Sequence, residues 1–190
     1  MSYCPITHEA HCKCLEETQG ISALKVDMKS ALRKLFTDHG VYTAFVLKSI
    51  VDKQDDTKIF LNRLLLNQRD IGDQLKPIIG KKSGDLVTKV LTEHIKLAGD
   101  VIKAATYGGN LKQKMALLFE NSDEVAEVLT SLNPEKLPYE TTQEMFQSHN
   151  QFIVDLTLAR IKKDYLKEQQ LYDVYYNELL MMSDAIYEAL

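Results

Sequence analysis

Apolar residues recur three and four positions apart through most of the chain, the spacing that lines one face of an α-helix. Between residues 28 and 51 the stripe is Leu32, Leu35, Phe36, Val41, Tyr42, Phe45, Val46 and Ile50. The polar run Asp52-Lys53-Gln54-Asp55-Asp56 ends it, and Asp55 or Asp56 is placed to cap a second helix. That helix carries Ile59, Phe60, Leu64, Leu65 and Ile71 before Gly72 and Pro77 interrupt the pattern, and a polar break follows around Gly80 to Gly84. A third opens at Ser83 or Asp85, passes through Val87, Val90, Leu91, Ile95, Val101 and Ile102, and stops at Gly108-Gly109. Residues 111–132 predict a fourth, with a further capping option inside it at Ser122 or Asp123 and an end at Asn133-Pro134. A fifth begins at Thr141 or Thr142 and runs to about residue 163; a sixth fills the chain from about 165 to 190. Nowhere does the pattern alternate as a strand would. The expectation is an all-α fold, an up-and-down bundle of about six helices built from weakly repeated helical hairpins.

Within this pattern three histidines share one register. His39, His94 and His149 lie 55 residues apart, and each is flanked by apolar residues at −4, −3, +3 and +7. Those offsets surround position zero on one helix face, so all three side chains are expected to face inward. Taking Glu178 as position zero in the last helix gives the same frame, with Val174 and Tyr175 before it and Met181, Met182 and Ala185 after. Three imidazoles and one carboxylate converging in a bundle interior form a sensible set of ligands for a divalent transition metal, zinc, iron or manganese. Buried histidines that only satisfy hydrogen bonds are the simpler alternative. Met181, Met182 and the tyrosines at 172, 175, 176 and 187 read as core packing more than as a ligand-lining stripe, and Arg63, Asp70, Arg160 and Asp184 as members of inter-helix ion pairs.

Composition adds limits. Of the 190 residues, 45% are hydrophobic and 26% charged, globular values for one domain with a real core. A net charge of −4, spread along the chain, offers nucleic acid no basic surface, and no apolar run is long enough to cross a bilayer. The N-terminus lacks a basic start followed by an apolar stretch, so the protein is expected in the reducing cytoplasm. A homodimer or protein partner would dock on an exposed helix face.

All three cysteines and the remaining two histidines crowd into the first residues as Cys4, His8, His11, Cys12 and Cys14. They divide the chain into an extension, 1–27, and a bundle domain, 28–190. Such a cluster is a weaker metal candidate, because its spacing lacks the paired dyads of a structural zinc site; incidental free thiols are the plainer reading. No Gly-rich phosphate loop, nucleophile elbow or His-Glu-x-x-His helix occurs, so no catalytic residue is assigned and kinase chemistry is not expected.

From about Met28 to Leu190 the chain resembles a family of small uncharacterised bacterial all-helical proteins sometimes mislabelled acetylglutamate kinase. The resemblance lies in Leu32-Arg33-Lys34-Leu35 through His39 and Thr43, in Arg63-Leu64-Leu65 with Asn67 and Asp70-Ile71-Gly72, and in Leu91-Thr92-Glu93-His94-Ile95. It continues through Asn121, Asp123-Glu124-Val125-Ala126, Asn133-Pro134, His149, Ala159-Arg160 and Leu180-Met181-Met182-Ser183-Asp184. The family tends to have Trp-Thr-Arg where this chain has Tyr42-Thr43-Ala44, and a histidine where Glu178 stands. The resemblance implies a helical fold and no established activity. Two functions follow as expectations: a non-enzymatic binding or structural module, or a metal-binding bundle with redox or hydrolytic activity at His39, His94, His149 and Glu178.

Overall fold

In the computed structural model, which describes residues 8–190 and their side chains from residue 26 onward, every described element is an α-helix. There are five: α1 His8–Val51, α2 Thr57–Tyr107, α3 Leu111–Thr130, α4 Tyr139–Ile161 and α5 Tyr165–Ala189. Against the expected count of about six, α2 is one element of two arms: it continues through Gly72 and Pro77 and its arms part at Gly80, inside the polar break read at 80–84. Pro77 removes one hydrogen-bond donor close to the end of a helical arm, where the loss is small. The start of α1 also differs, lying twenty residues before Met28. Nor does α3 break at Ser122 or Asp123, because both lie inside a continuous helix. Pro138, not Thr141 or Thr142, stands at the N-cap of α4, so that Tyr139 opens the helix.

One residue turns α2 back on itself. Gly80 has φ 82° and ψ 159°, a conformation open almost only to glycine. It separates an arm over 57–79 from an arm over 81–107, and the two touch at Gly72 and Gly84. A Cβ built on Gly72 would sit 2.7 Å from the Gly84 carbonyl oxygen and 1.9 Å from Thr88 Oγ1. In an uninterrupted helix, residues twelve apart would be about 18 Å distant. The glycine that reads as a helix break is therefore the point of closest approach between the arms.

Long-range contacts give the direction of each segment. Ser49 meets Thr57, Asn67 Nδ2 donates to Leu35 O and Gln74 Nε2 approaches Met28 Sδ, so the first arm of α2 descends along α1. The second arm returns, ending where Tyr107 Oη donates to Ile50 O. Lys114 meets Asp100, Gln143 meets Asp123 and Arg160 meets Glu168, so α3, α4 and α5 alternate in direction. Arg33 closes the circuit from α1 to α5 by a bidentate pair with Asp184 at 2.8 and 2.6 Å. Leu32, Leu75, Val87, Leu118, Ile153 and Leu179 fill the middle, each at most 2% exposed.

Arg160 and Asp184 thus join different helices as expected, and Arg63 reaches Asp38 of α1 at 3.9 Å, whereas Asp70 pairs with Arg63 within α2. Helix ends follow from local chemistry: Asn110 and Asp164 accept from Gln113 N and Lys167 N, each at 3.1 Å, as N-caps. Positive φ occurs at Lys53, Gly108 and Lys163, each fourteen residues beyond a histidine of the register. At Lys53 and Lys163 a 6→1 bond closes the turn, Gln54 N to Ser49 O at 2.8 Å and Asp164 N to Ala159 O at 3.0 Å. Among the described residues no helix is long and apolar enough to cross a membrane.

Candidate functional site

The three register histidines meet. α1, the second arm of α2 and α4 run in the same direction, and they deliver His39, His94 and His149 to one level of the core at 8%, 3% and 3% exposure. The ring centroid of His149 lies 5.8 Å from that of His39 and 5.9 Å from that of His94. Phe146 stands edge-on to His94, and the Tyr175 ring is 5.2 Å from His149.

Each imidazole is met at Nδ1 by a polar side chain from the next helical segment along the chain. His39 Nδ1 is 3.2 Å from Gln68 Nε2, His94 Nδ1 is 2.9 Å from Asn121 Oδ1, and His149 Nδ1 is 3.3 Å from Glu178 Oε2. The last contact has ion-pair distance without hydrogen-bond alignment. The Asn121 contact sets the His94 tautomer. Asn121 Oδ1 accepts from His94 Nδ1–H, leaving a bare Nε2 that is buried without a partner. Gln68 Nε2 faces His39 Nδ1 but also lies 2.9 Å from Leu64 O and 3.2 Å from Asn67 Oδ1, three acceptors for two amide hydrogens, so this contact does not by itself fix the His39 tautomer.

Burial, followed by electrostatic repulsion from the neighbouring His149, pushes the pKa of both His39 and His94 down to about 3; for His39, repulsion from His94 contributes as well. Both rings are therefore neutral at physiological pH, the form in which an imidazole coordinates a metal or exchanges hydrogen bonds. Burial likewise pushes the Tyr175 phenol up, so it is never an anion there. Two small voids lie against the histidines, about 30 Å³ on the side of Phe36, Leu75 and Met182 and about 20 Å³ on the side of Thr43, Gly99 and Ile153. Each is roomy enough for a water-sized occupant.

Glu178 joins the cluster, though only through His149, and its side chain is 15% exposed. Met182 and Tyr175 are core residues, at 2% and 0% exposure; Met181, at 71%, is on the surface. Among the described residues no three His, Cys, Asp or Glu side chains are already disposed to hold one metal ion. Cys4 lies outside the described residues. His8, His11, Cys12 and Cys14 fall on the first turns of α1, but their side chains too lie outside what is described.

Periodicity alone does not single out Gln68 and Asn121, yet both leave a trace in the sequence. Gln68 takes an apolar position four after Leu64 and three before Ile71, and Asn121 the corresponding position between Leu118 and Val125. An amide in the middle of a buried stripe needs a partner, and here the partner is a histidine. Comparison of the chain with protein-family models, with curated proteins and with solved structures finds no match.

Proposed function

We propose that the protein is a metal-binding helical bundle, in which His39, His94 and His149 hold one divalent transition ion at the centre of the core. The observation that carries this reading is the convergence of three buried imidazoles, those of His39 and His94 neutral, from three parallel helical segments, each approached at Nδ1 by a polar group from the following segment. Histidine ligands are typically held in this way, with the second nitrogen fixed by an amide, carbonyl or carboxylate. Imidazoles tetrahedrally arranged on zinc have ring centroids about 5 Å apart, given bonds of about 2 Å. The two pairs that include His149, at 5.8 and 5.9 Å, differ from that by less than an ångström.

Glu178 takes the part of the carboxylate that orients His149 and balances charge. Coordination through His39 Nε2 requires the Gln68 amide to turn over and offer its oxygen to Nδ1. Three nitrogen ligands leave a further position for an exchangeable ligand, and zinc, iron and manganese all suit such a site.

The same observations support a repeated two-helix unit. Each unit would comprise a histidine-bearing segment and the segment after it, with a positive-φ residue fourteen positions beyond the histidine.

A second reading, the non-enzymatic structural or binding module, is favoured by the present direction of the Gln68 amide, which suits a polar hydrogen-bonded layer. Thermal melts separate the two. The Cys4→Ser, Cys12→Ser, Cys14→Ser protein is stripped of metal and heated with and without zinc at about one hundred times its dissociation constant. Mass action then contributes about 2.7 kcal/mol. For a chain of this size the expected rise in Tm is roughly 5–10 °C. His94→Ala is expected to abolish the rise. An equal rise in wild type and His94→Ala would place the metal elsewhere.

A further inference from the structure

An apolar pocket stands beside the histidine layer and takes no part in it. Where α5 parts from α1, a pocket of about 430 Å³ opens between the two helices and is floored by α4. Its size falls in the range of small-molecule sites. Ala44, Phe45, Leu47, Leu156 and Tyr172 supply most of its walls.

Two buried hydroxyls mark the inner end. Tyr175 and Thr43 line the pocket at 0% and 7% exposure. The two hydroxyls lie within reach of one another, so one can donate to the other, which still leaves one buried O–H without an acceptor. A buried hydroxyl without a partner costs about 1–3 kcal/mol, and two together mark a place where an oxygen is wanted. Thr43 also lines the small void that touches His39, His94 and His149, so this end of the pocket abuts the histidine layer.

At the mouth, the Arg160 guanidinium is paired with Asp52 and Glu168. Lys48 also lines the pocket, so two cations stand with two carboxylates and the rim carries no net charge that calls for an anion.

We infer that this pocket binds a small, neutral, predominantly apolar molecule bearing one hydroxyl or carbonyl oxygen, which enters oxygen first and bonds to Thr43 and Tyr175. The apolar body lies along Phe45, Leu156 and Tyr172. This inference stands on the pocket alone and does not require a metal on the histidines.

Fluorescence titration of the full-length protein with 2-naphthol, and with naphthalene as the same body without its oxygen, tests it. Saturable one-to-one binding of 2-naphthol is expected, about fivefold tighter than naphthalene, the worth of one hydrogen bond. Thr43→Val, nearly isosteric, is expected to weaken 2-naphthol by a similar factor and leave naphthalene unchanged. Ala44→Trp, which fills the pocket, is expected to abolish binding of both. Non-saturable uptake, equal affinity for the two compounds in wild type, or wild-type affinity for 2-naphthol in Thr43→Val would overturn the inference. Because the Thr43→Val result stands by itself, the test survives if Ala44→Trp does not fold.

Discussion

Lowering the pH of the metal-free protein from 6.5 to about 4.5 is expected to remove roughly 5 kcal/mol of stability, a large share of what a domain of this size possesses. His39 and His94 are buried and neutral, with folded pKa values of about 3 against an ordinary 6.5. Their stabilising contribution is complete above pH 6.5 and is lost as the pH falls toward 3, because only the unfolded chain takes up the protons. Each contributes a slope of about 1.4 kcal/mol per pH unit across that window. Carboxylates account for little of it. Asp85 is held below the usual carboxylate range by hydrogen bonds from Lys76 and Lys81, and Asp184 by those from Arg33, so both protonate at lower pH. Urea denaturation at a series of pH values measures the slope directly. His94→Gln, which retains a polar partner for Asn121, is expected to halve it; an unchanged slope would mean that His94 is not the titrating group.

Replacing Gly72 by alanine is expected to cost about 3 kcal/mol, at the upper end for overpacking. The added methyl would lie 1.9 Å from Thr88 Oγ1 and 2.7 Å from the Gly84 carbonyl oxygen. The hydroxyl can rotate away, but the carbonyl belongs to the opposing helical arm, so the arms must part. Gly80→Ala meets no neighbour and still strains the chain, because φ 82° with ψ 159° is closed to a side chain; about 1–3 kcal/mol is expected. Gly99 supplies the contrast. It is helical, and an added Cβ there meets nothing within 4 Å, so Gly99→Ala is expected to stabilise by about 0.5–1 kcal/mol. Urea midpoints for the three variants test this ordering. A wild-type midpoint for Gly72→Ala would mean that the arms of α2 do not lie together there.

Much of this is legible in the sequence, and the failures have physical causes. Apolar spacing marks the buried faces, and Leu32, Phe36, Val46, Ile50, Val87, Val101 and Ile102 are all core residues. The histidine register is equally plain, since a polar residue with apolar neighbours at −4, −3, +3 and +7 has only one direction to face. Helix boundaries are harder. Gly72 and Pro77 read as interruptions because both weaken a helix locally, yet a glycine that lets two arms touch is indistinguishable in one sequence from a glycine that ends one. The reversal falls at Gly80, within the polar break around Gly80 to Gly84, although its positive-φ conformation is not revealed by periodicity. Gln68 and Asn121 were unreadable as partners for a related reason. Their positions in the apolar stripes are visible, but the pairing spans 29 and 27 residues and depends on which helices become neighbours. Tyr175 and Thr43 look like ordinary helix-face residues until the opening between α1 and α5 is known.

The most direct measurement of the central claim is a cobalt(II) titration of the metal-free Cys4→Ser, Cys12→Ser, Cys14→Ser protein, followed by visible absorption. Substitution of the cysteines leaves the interior histidines as the nitrogen-rich site with three candidate ligands from separate helical segments. The account predicts ligand-field bands of four- or five-coordinate cobalt that saturate at one equivalent. It further predicts that the bands vanish in His39→Ala, His94→Ala and His149→Ala alike. Bands that persist unchanged in any one of these variants, or the absence of any band in a protein that remains folded, would contradict a shared three-histidine site.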